Sequence, residues 1–309
     1  MAAITVLGAG VSGLTTAVAL QRAGHEVQVV ARDRPLETTS RVAGAIWLPF
    51  RVGPPERATI WASATRVALS AIARADPGAG VDELELFLLS DDGELPWWRD
   101  AAPDLEVVAP PFDLEARHAF RLLVPRCDPP VYLTWLERQL RRPIVLATVT
   151  DLASVEGDLV VNCTGLGARA LTGDTALGAS FGHVIGASGQ GFDPRVALSD
   201  ERDADALFYV IPRRNEVVLG GSAVLVDPDA IHAPLPMITA RILERCRASG
   251  FDPGAVLYER VGLRPVRPEV RLEREGRIVH NYGHGGAGYT LSWGCAEDVV
   301  AIAGAATHG

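Results

Sequence analysis

The 309-residue chain contains no lysine, and all 29 of its Lys-plus-Arg residues are arginines. A pyridoxal-phosphate enzyme needs a lysine for its Schiff base and a P-loop needs one for its phosphates, so both classes are excluded. Four widely spaced cysteines without a Cys-x-x-Cys pair indicate neither a zinc site nor a redox dithiol. The formal net charge of −9 argues against nucleic acid as a partner.

The sequence also lacks long hydrophobic runs. No stretch of about 18 uncharged apolar residues occurs, so we expect no membrane partner and no spanning helix. The first residues pass directly into an apolar strand, which does not resemble a secretory signal peptide. Because 48% of the residues are hydrophobic, the chain can build a large core, and we expect one or two domains in a cytoplasmic protein.

Metal-binding patterns are missing as well. His280 and His284 are four residues apart, but Asn281-Tyr282-Gly283 between them disfavours a helix, so we expect no metal site there.

What the sequence does contain is two glycine-rich segments, of which the first opens the chain. Residues 4–7 read as a buried strand, residues 14–23 have helical composition, and residues 26–30 read as the next strand. The turn after the first strand is Gly8-Ala9-Gly10-Val11-Ser12-Gly13. Gly8 permits a tight turn, Gly10 lets the backbone approach a pyrophosphate, and Gly13 allows close contact between helix and strand. The helix N-terminus would then bind the phosphates of a dinucleotide.

The second glycine-rich segment lies near the C-terminus. His280-Asn281-Tyr282-Gly283-His284-Gly285-Gly286 leads into residues 287–304, which we expect to form the last helix. Gly262-Leu263-Arg264-Pro265-Val266-Arg267-Pro268 precedes it, and an arginine on a proline-stiffened run suits a carboxylate. Together the two segments predict a redox cofactor with an anionic substrate beside it.

The expected ribose anchor, about 20 residues after the glycine turn, is irregular. The sequence there is Ala31-Arg32-Asp33, so Asp33 could accept from ribose hydroxyls while Arg32 reaches a phosphate. A surface ion pair between these two residues is the simple alternative. An arginine at this place also fits the 2′-phosphate of NADP, which keeps a nicotinamide cofactor open.

The middle of the chain supplies further candidate elements. Hydroxyl and small side chains, namely Thr39, Ser40, Gly44, Ala45 and Ile46, could line a flat ring or its phosphates, or form only a polar loop. Proline and aspartate become frequent between residues 54 and 130, which we interpret as part of a second domain with loops. We predict helices over residues 131–140 and 237–249, a buried strand running into a turn over 158–165, and a hairpin of strands 207–212 and 216–221.

These motifs resemble the D-amino-acid oxidase family of FAD enzymes. The resemblance rests on the N-terminal glycine turn, on Val160-Val161-Asn162-Cys163-Thr164-Gly165, on the hairpin segments Tyr209-Val210-Ile211-Pro212 and Leu219-Gly220-Gly221, and most specifically on residues 262–286. It spans nearly the whole chain. It implies an α/β fold with a discontinuous Rossmann-like FAD-binding domain, residues 1–49, 131–178 and 263–309. The implied substrate-binding domain, residues 50–130 and 179–262, is built on a mostly antiparallel β-sheet.

The resemblance also implies a site and a reaction. Arg264 would bind the substrate α-carboxylate, Tyr209 would donate its hydroxyl to it, and the Gly286 carbonyl would receive the amine. Hydride transfer from Cα to flavin N5 would give an imine, which water would hydrolyse to a 2-oxo acid and ammonia, and dioxygen would reoxidise the flavin and become hydrogen peroxide. The residues expected to contact FAD are Gly8, Ala9, Gly10, Val11, Ser12, Gly13, Arg32, Asp33, Thr39, Ser40, Gly44, Ala45, Ile46, Val149, Thr164, Gly165, Arg264, Gly285, Gly286, Gly288, Tyr289 and Thr290.

The resemblance bears on substrate choice too. D-aspartate-oxidising relatives tend to carry an arginine after the Gly-Gly pair of the hairpin, whereas Gly220-Gly221 is followed here by Ser222-Ala223. Burying an unpaired carboxylate costs several kcal/mol, and an apolar side chain gains about 25 cal/mol per Å². We therefore expect neutral, mostly apolar D-amino acids to be preferred over acidic ones. Arg213-Arg214 lie in the hairpin turn, where we expect them to be exposed to solvent.

The sequence departs from the family pattern at several positions. Arg32 stands where an acid is frequent, and Asp205 stands where members with a long active-site lid carry a second tyrosine. Residues 196–207 form a short segment, so we expect a small lid or none. The alternatives left open are a glycine- or sarcosine-type FAD amine oxidase, an NAD(P)-dependent dehydrogenase, and a nucleotide-binding protein without catalysis. A homodimer is also left open.

Overall fold

Strands and helices alternate along the chain in the computed structural model, which describes residues 1–112, 114–189, 192–203, 207–230 and 232–306. The strands are β1 (Ala3–Leu7), β2 (Glu26–Ala31), β3 (Val81–Ser90), β4 (Glu106–Val108), β5 (His118–Cys127), β6 (Val145–Leu146), β7 (Leu159–Asn162), β8 (Gly178–Ala187), β9 (Val196–Asp200), β10 (Phe208–Pro212), β11 (Val217–Gly220), β12 (Val224–Val226), β13 (Val256–Glu275) and β14 (Ile278–His284). The helices are α1 (Val11–Arg22), α2 (Pro55–Ala75), α3 (Pro129–Arg138), α4 (Ala168–Thr172), α5 (Pro236–Ala248) and α6 (Gly288–Ala306).

Five parallel strands in the order β14-β7-β1-β2-β6 form one part of a continuous mixed sheet. β1 is buried over residues 4–7, and α1 packs along it through an almost continuous apolar surface. This confirms the predicted strand–turn–helix–strand unit. The predicted strand at 158–165 is β7, which lies beside β1 as a buried parallel strand.

The remaining strands form the mostly antiparallel part of the sheet, in the order β4-β5-β3-β9-β10-β11-β8-β13, with β12 paired to β8 outside this order. The long strand β13 pairs with β8 on one side and with β14 on the other, so it joins the two parts. Apolar residues on one face of β8, β10 and β11 pack under α5, in a cluster that includes Ile185, Leu219 and Ile242. The opposite face of these strands carries the candidate site.

The helix α2 was not predicted from the sequence. Its buried residues, Ala58, Trp61, Ala62, Thr65 and Leu69, follow the spacing of an amphipathic helix, and Pro55 stands at its first position. α2 packs tightly on α6, because a Cβ added to Gly294 would overlap the Trp61 backbone. The region interpreted as part of a second domain with loops therefore begins with a 21-residue helix.

The other predicted helices and the hairpin are confirmed with small shifts of their ends: α3, α5, α6 and the antiparallel pair β10–β11. The proposed division into two domains stays a prediction, and α2, assigned to the substrate domain, contacts the helix α6 that follows β14. In the described parts of the chain, no helix combines the length and the apolar composition that crossing a membrane requires.

Candidate active site

The predicted cofactor residues meet at one edge of the sheet. α1 follows β1, and α6 follows β14 after a turn of three residues. The segments after β2, β6 and β7 carry Arg32 and Asp33, Val149, and Thr164 and Gly165. Because the five strands are parallel, all of these segments leave the sheet at its carboxyl edge, which is where α/β sheets bind nucleotides.

The N-terminal glycine turn needs its glycines for close backbone contact. A Cβ on Gly13 would overlap the carbonyl oxygen of Gly8, and one on Gly8 would lie 2.5 Å from the carbonyl oxygen of Cys163. Gly8 also has a φ of +104°. Gly10 caps α1 with an ordinary φ of −74°, and a Cβ there would meet two side-chain hydroxyls, that of Ser40 at 3.1 Å and that of Thr38 at 3.9 Å. Gly8 and Gly13 thus shape the turn, whereas Gly10 leaves its outer side open.

The N-termini of α1 and α6 lie next to each other. A Cβ on Gly288, the first residue of α6, would stand 3.7 Å from Val11 Cγ1. Neither helix has an acidic residue in its first turn, so both positive dipole ends face this edge without a counter-charge of their own. Ala9 is buried beneath the turn and Ser12 is partly buried. This arrangement fits the diphosphate of a dinucleotide cofactor.

His284 is a buried neighbour of this edge to which the sequence assigns no role. Its Nδ1 lies 3.5 Å from Ser12 Oγ, and its Nε2 lies 3.0 Å from Asn281 Oδ1. Burial lowers the pKa of the His284 imidazole to about 4, so the ring is neutral near pH 7. The side chain therefore positions Ser12 and Asn281 without adding charge.

The segment that contains Thr39, Ser40, Gly44, Ala45 and Ile46 is anchored to α1, α6 and β5. Ser40 Oγ accepts the Val11 N–H at 3.0 Å, and the Ser40 carbonyl accepts the Tyr289 hydroxyl at 2.9 Å. Ala45 adopts a positive φ of 58°, its carbonyl accepts the Cys127 N–H, and Ile46 forms an isolated bridge with Arg126.

Thr290 anchors the end of the same segment. Its hydroxyl accepts the Leu48 N–H at 3.1 Å and donates to the Leu48 carbonyl at 2.9 Å. The Thr290 hydroxyl therefore donates its hydrogen within the protein, and toward a ligand its oxygen can only accept a hydrogen bond. Its contact with FAD stays a prediction.

Residues after β2 and β7 show different environments. Arg32 and Asp33 form an ion pair with an N–O distance of 2.8 Å, and the arginine side chain is 72% exposed. This is the surface ion pair that the sequence offered as an alternative to a cofactor contact. Their roles toward a ribose or a phosphate stay predictions. Thr164 Oγ1 donates to Asn162 Oδ1 at 2.7 Å, and Gly165 has a φ of +56° with open space beside it. Val149 is partly buried after β6.

Tyr209 and Arg264 project from the same face of the antiparallel strands. Tyr209 pairs with Gly220 across the β10–β11 hairpin, and a Cβ on that glycine would overlap the tyrosine ring. Arg264 lies over Gly182 of β8 in the same way, since a Cβ there would stand 2.9 Å from the guanidinium carbon. The two glycines make room for two large polar side chains on one surface.

The guanidinium of Arg264 is held by backbone carbonyls. Its Nη1 donates to the carbonyl of Ser222 at 2.8 Å and to that of Phe181 at 3.4 Å. Burial lowers the pKa of the Arg264 guanidinium, and the neighbouring Tyr209 hydroxyl opposes that effect. Glu259, five residues before Arg264 on β13, does not pair with it, because its carboxylate bonds to His183 and Thr239.

The predicted cofactor and substrate residues converge. A Cβ on Gly44 would lie 3.5 Å from Tyr209 Cε2, and a Cβ on Gly286 would overlap Cδ1 of Phe50. The Phe50 ring in turn has the guanidinium carbon of Arg264 5.9 Å from its centroid. Phe50 therefore links Gly286 to Arg264, a contact that the sequence does not reveal because it joins segments more than 200 residues apart. Gly285 contacts the same segment, since a Cβ on it would overlap the carbonyl of Arg51.

One expectation about arginines is wrong, and another needs an addition. Ser222-Ala223 indeed carry no cation, but Arg51 supplies one there, because its Nη1 donates to the Ala223 carbonyl at 2.7 Å. Arg213 is buried rather than exposed, since its Nη2 donates to the carbonyls of Ala43 and Gly44. Arg214 is exposed as expected.

Two other sequence features can be placed. Residues 178–182 match the Gly-x-Ser-x-Gly pattern of hydrolases, but they lie inside strand β8 with Ser180 buried, instead of on the exposed strand-to-helix turn that a nucleophile requires. Asp205, on which the expectation of a small lid depends, lies outside the described residues.

Comparison with known proteins agrees with this geometry. A family model described as FAD dependent oxidoreductase matches residues 3–302. The chain belongs to this family of FAD-dependent oxidoreductases. A D-amino-acid oxidase of Rubrobacter xylanophilus is 40% identical, with the alignment covering 99% of this chain and 97% of the relative. Human D-aspartate oxidase is 31% identical over 99% of this chain and 96% of its own.

Solved structures show the same fold for this family member. Glycine oxidase from Bacillus cereus superposes with a TM-score of 0.79, covering 99% of this chain and 95% of that one, at 18% identity. An L-α-glycerophosphate oxidase from Mycoplasma pneumoniae with FAD bound superposes with a TM-score of 0.75, covering 97% and 94%, at 12% identity.

Proposed function

We propose that this chain is an FAD-dependent oxidase of D-amino acids, which converts the amino acid, dioxygen and water into a 2-oxo acid, ammonia and hydrogen peroxide. The observation that carries the proposal is the placement of Arg264 and Tyr209 on one face, linked through Phe50 to Gly286 at the cofactor edge. The D-amino-acid oxidases of Rubrobacter xylanophilus and Streptomyces coelicolor, 40% and 37% identical, support it.

The chain holds the cofactor at the carboxyl edge of the parallel strands. The N-termini of α1 and α6 supply backbone N–H donors and positive potential for the diphosphate and for the anionic part of the ring system. Ser40, Thr164 and the turn of Gly285-Gly286 border the same edge. When bound, FAD supplies a two-electron acceptor for a hydride and a route for those electrons to dioxygen.

Arg264 and Tyr209 bind the substrate carboxylate. A guanidinium has five N–H donors in a planar fork, and the carbonyls that hold Arg264 are neutral, so a carboxylate offsets the cost of burying its charge. Burial raises the pKa of the Tyr209 hydroxyl, which therefore stays protonated and donates to the second carboxylate oxygen. These contacts fix one end of the substrate.

The amine end is oriented by Gly286. Its carbonyl accepts an N–H of the substrate, and the ring of Phe50 lies against one side of the glycine. With the carboxylate and the amine both fixed, the position of the Cα hydrogen depends on chirality alone. This arrangement selects D-amino acids over their L-isomers. We further propose that neutral side chains are preferred over acidic ones.

Oxidation of matched enantiomers tests the proposal. The purified protein should bind FAD. Without oxygen, D-alanine, D-valine or D-phenylalanine should bleach the visible absorption of the bound FAD, and in air the same substrates should yield hydrogen peroxide. The L-isomers should hardly react. Bleaching by glycine or sarcosine in preference to every D-amino acid, or reduction of NAD(P)⁺ by a flavin-free protein, would replace this function with the corresponding alternative.

The cellular setting is also a proposal. The four cysteines are buried and free, which suits a reducing compartment such as the cytoplasm. A homodimer is proposed as the assembly, and the mass in solution by light scattering tests it.

A further inference from the structure

Arg213 is a charged side chain that is buried beside the candidate site without a close carboxylate. Tyr209, Ile211 and Arg213 alternate along β10 and just beyond its end, so their side chains lie on one face of the sheet. The Arg213 side chain is 6% exposed, and its Nη1 is 3.6 Å from a carboxylate oxygen of Glu216. Glu216 is in turn held by the Tyr258 hydroxyl at 2.7 Å. An ion pair of this length does not account for burying the charge, because buried charges need close partners.

The short side-chain contacts of Arg213 are with two successive peptide groups. Its Nη2 donates to the carbonyl of Ala43 at 3.1 Å and to that of Gly44 at 3.2 Å. Both peptide bonds are trans, so the N–H of each points away from its carbonyl. The N–H groups of Gly44 and Ala45 therefore point away from the guanidinium, and neither donates to an acceptor within the described ranges of the chain. Successive N–H groups in a turn of this kind suit a ligand with negative charge.

The strand that carries Arg213 also packs against this turn. A Cβ on Gly44 would lie 2.9 Å from Ile211 Cδ1 and 3.5 Å from Tyr209 Cε2. A few residues earlier, the Ser40 hydroxyl accepts the Val11 N–H at 3.0 Å, which joins the segment to the N-terminus of α1 and to the predicted cofactor edge. The turn of residues 43–45 thus lies between the strand of the predicted substrate-binding tyrosine and the edge expected to hold FAD.

We propose that Arg213 is a positioning residue that aims the N–H groups of Gly44 and Ala45 at the ring system of FAD and thereby raises the reduction potential of the bound cofactor. This inference rests on the proposed function and deepens it. Reduction adds negative charge to that ring system, and N–H donors that are already in place stabilise charge as it develops. The buried cation also polarises the two peptide groups, which makes their N–H groups stronger donors. Arg213 acts through the turn and contacts neither substrate nor cofactor.

Reduction potentials of the FAD-loaded variants test the proposal. Arg213→Met removes the cation and both carbonyl contacts, so two-electron reduction should become about tenfold less favourable, a fall of about 30 mV, and FAD should bind more weakly. Glu216→Gln removes the opposing charge but keeps Arg213 and its carbonyl contacts, so it should raise the potential. Loss of packing alone does not predict opposite shifts. Arg214→Met is the matched control, because it removes the same charge from the next residue, which is exposed, and should leave the potential unchanged.

Binding of a carboxylate separates this role from substrate binding. Arg264 and Tyr209 are intact in these variants, so butyrate should bind FAD-loaded Arg213→Met with near-parental affinity, whereas anaerobic bleaching of the flavin by D-alanine should slow about tenfold. An unchanged potential in Arg213→Met, or a Glu216→Gln protein whose potential does not rise, would overturn the proposal. The potentials are measured without substrate. A wild-type protein that binds FAD but oxidises no D-amino acid would therefore overturn the proposed function, while the potentials of the variants would still decide the role of Arg213.

Discussion

The ring of Tyr209 lies directly over Gly220, its partner across the β10–β11 hairpin. No other residue type fits beneath the ring, because a Cβ at position 220 would overlap the Tyr209 ring and hydroxyl. A glycine in the neighbouring strand thus determines where the tyrosine hydroxyl stands relative to Arg264. The same relation holds between Gly182 and Arg264. The two glycines therefore determine where the two large polar side chains lie on the active-site face.

We expect Gly220→Ala to displace the Tyr209 ring and to lower kcat/KM for D-alanine by about ten- to a hundredfold, because misplaced binding groups lose transition-state contacts. FAD affinity should be nearly unchanged. Gly304→Ala in α6 is a suitable control, since a Cβ there meets no atom within 4 Å. Parental kcat/KM in Gly220→Ala would mean that the position of Tyr209 does not matter.

Arg264 should supply most of the carboxylate binding. Arg264→Ala should cost about 1.5–3 kcal/mol or more in transition-state stabilisation, roughly tenfold to over a hundredfold in kcat/KM. Arg264→Lys should not restore it, because an ammonium cannot bind a carboxylate through a planar fork. Steady-state kinetics with D-alanine, together with titration of a carboxylate inhibitor, checks both variants. A near-parental Arg264→Ala enzyme would remove this residue from the site.

Alanine substitutions at Gly13 and at Gly10 of the N-terminal turn should have different effects on stability and on FAD binding. Gly13→Ala forces a Cβ against the Gly8 carbonyl, so both the Tm of the apoprotein and its FAD affinity should fall. The new Cβ of Gly10→Ala would contact two side-chain hydroxyls, those of Ser40 and Thr38, and no backbone atom, so the apoprotein Tm should change little while FAD binding weakens. Thermal unfolding without FAD and fluorescence titration with FAD separate the two. Equal Tm losses would contradict the assignment of Gly10 to the ligand side.

The sequence predicted those parts of the fold that depend on local pattern. The strand–glycine–helix unit of residues 4–30, the hairpin of Tyr209 and the helix after Gly286 each carry their signal within a few residues. α2 was missed because prolines and charged residues around it suggested loops, although the spacing of Trp61, Thr65 and Leu69 indicates a helix.

Contacts between distant segments were not predictable in this way. Arg51 follows an apolar stretch and gives no sign that it reaches Ala223, and Glu201 stands at a strand end like many surface acids. The burial of Arg213 likewise depends on carbonyls of residues 43 and 44, which come from another part of the chain. Such contacts depend on tertiary structure, whereas a sequence motif indicates only contacts between residues that are close in the chain.

Asp174 should contribute stability that disappears in acid. Burial raises the pKa of its carboxyl, but the Tyr282 hydroxyl at 2.9 Å and Arg267 at 3.0 Å outweigh burial and hold that pKa below its usual value. The stabilisation is therefore complete above the unfolded pKa of about 3.9 and is lost as the pH falls through the folded value. Asp174→Asn should lower the free energy of unfolding by about 2 kcal/mol at neutral pH. Urea titrations should show this difference shrinking toward pH 3, and a difference independent of pH would contradict the ionic role.

Glu201 lies two residues after Ser199, the partner of Tyr209 across β9 and β10, and its Oε1 accepts the Ser199 hydroxyl at 3.3 Å, so we expect substrate preference to depend on pH through this carboxyl group. Burial raises the pKa of its carboxyl to about 7, against the opposing charges of Arg51 and Arg264. Below that pH Glu201 becomes neutral, whereas the side-chain carboxylate of D-aspartate, with a pKa of about 4, stays ionised. The ratio of kcat/KM for D-aspartate to that for D-alanine should therefore rise about tenfold between roughly pH 8.5 and 5.5. Because both substrates share the same α-amino and α-carboxylate groups, effects on those groups largely cancel in the ratio. Glu201→Gln should show a ratio that is high and flat over this range. A flat ratio in the wild type, or the same slope in both proteins, would show that another group controls the preference.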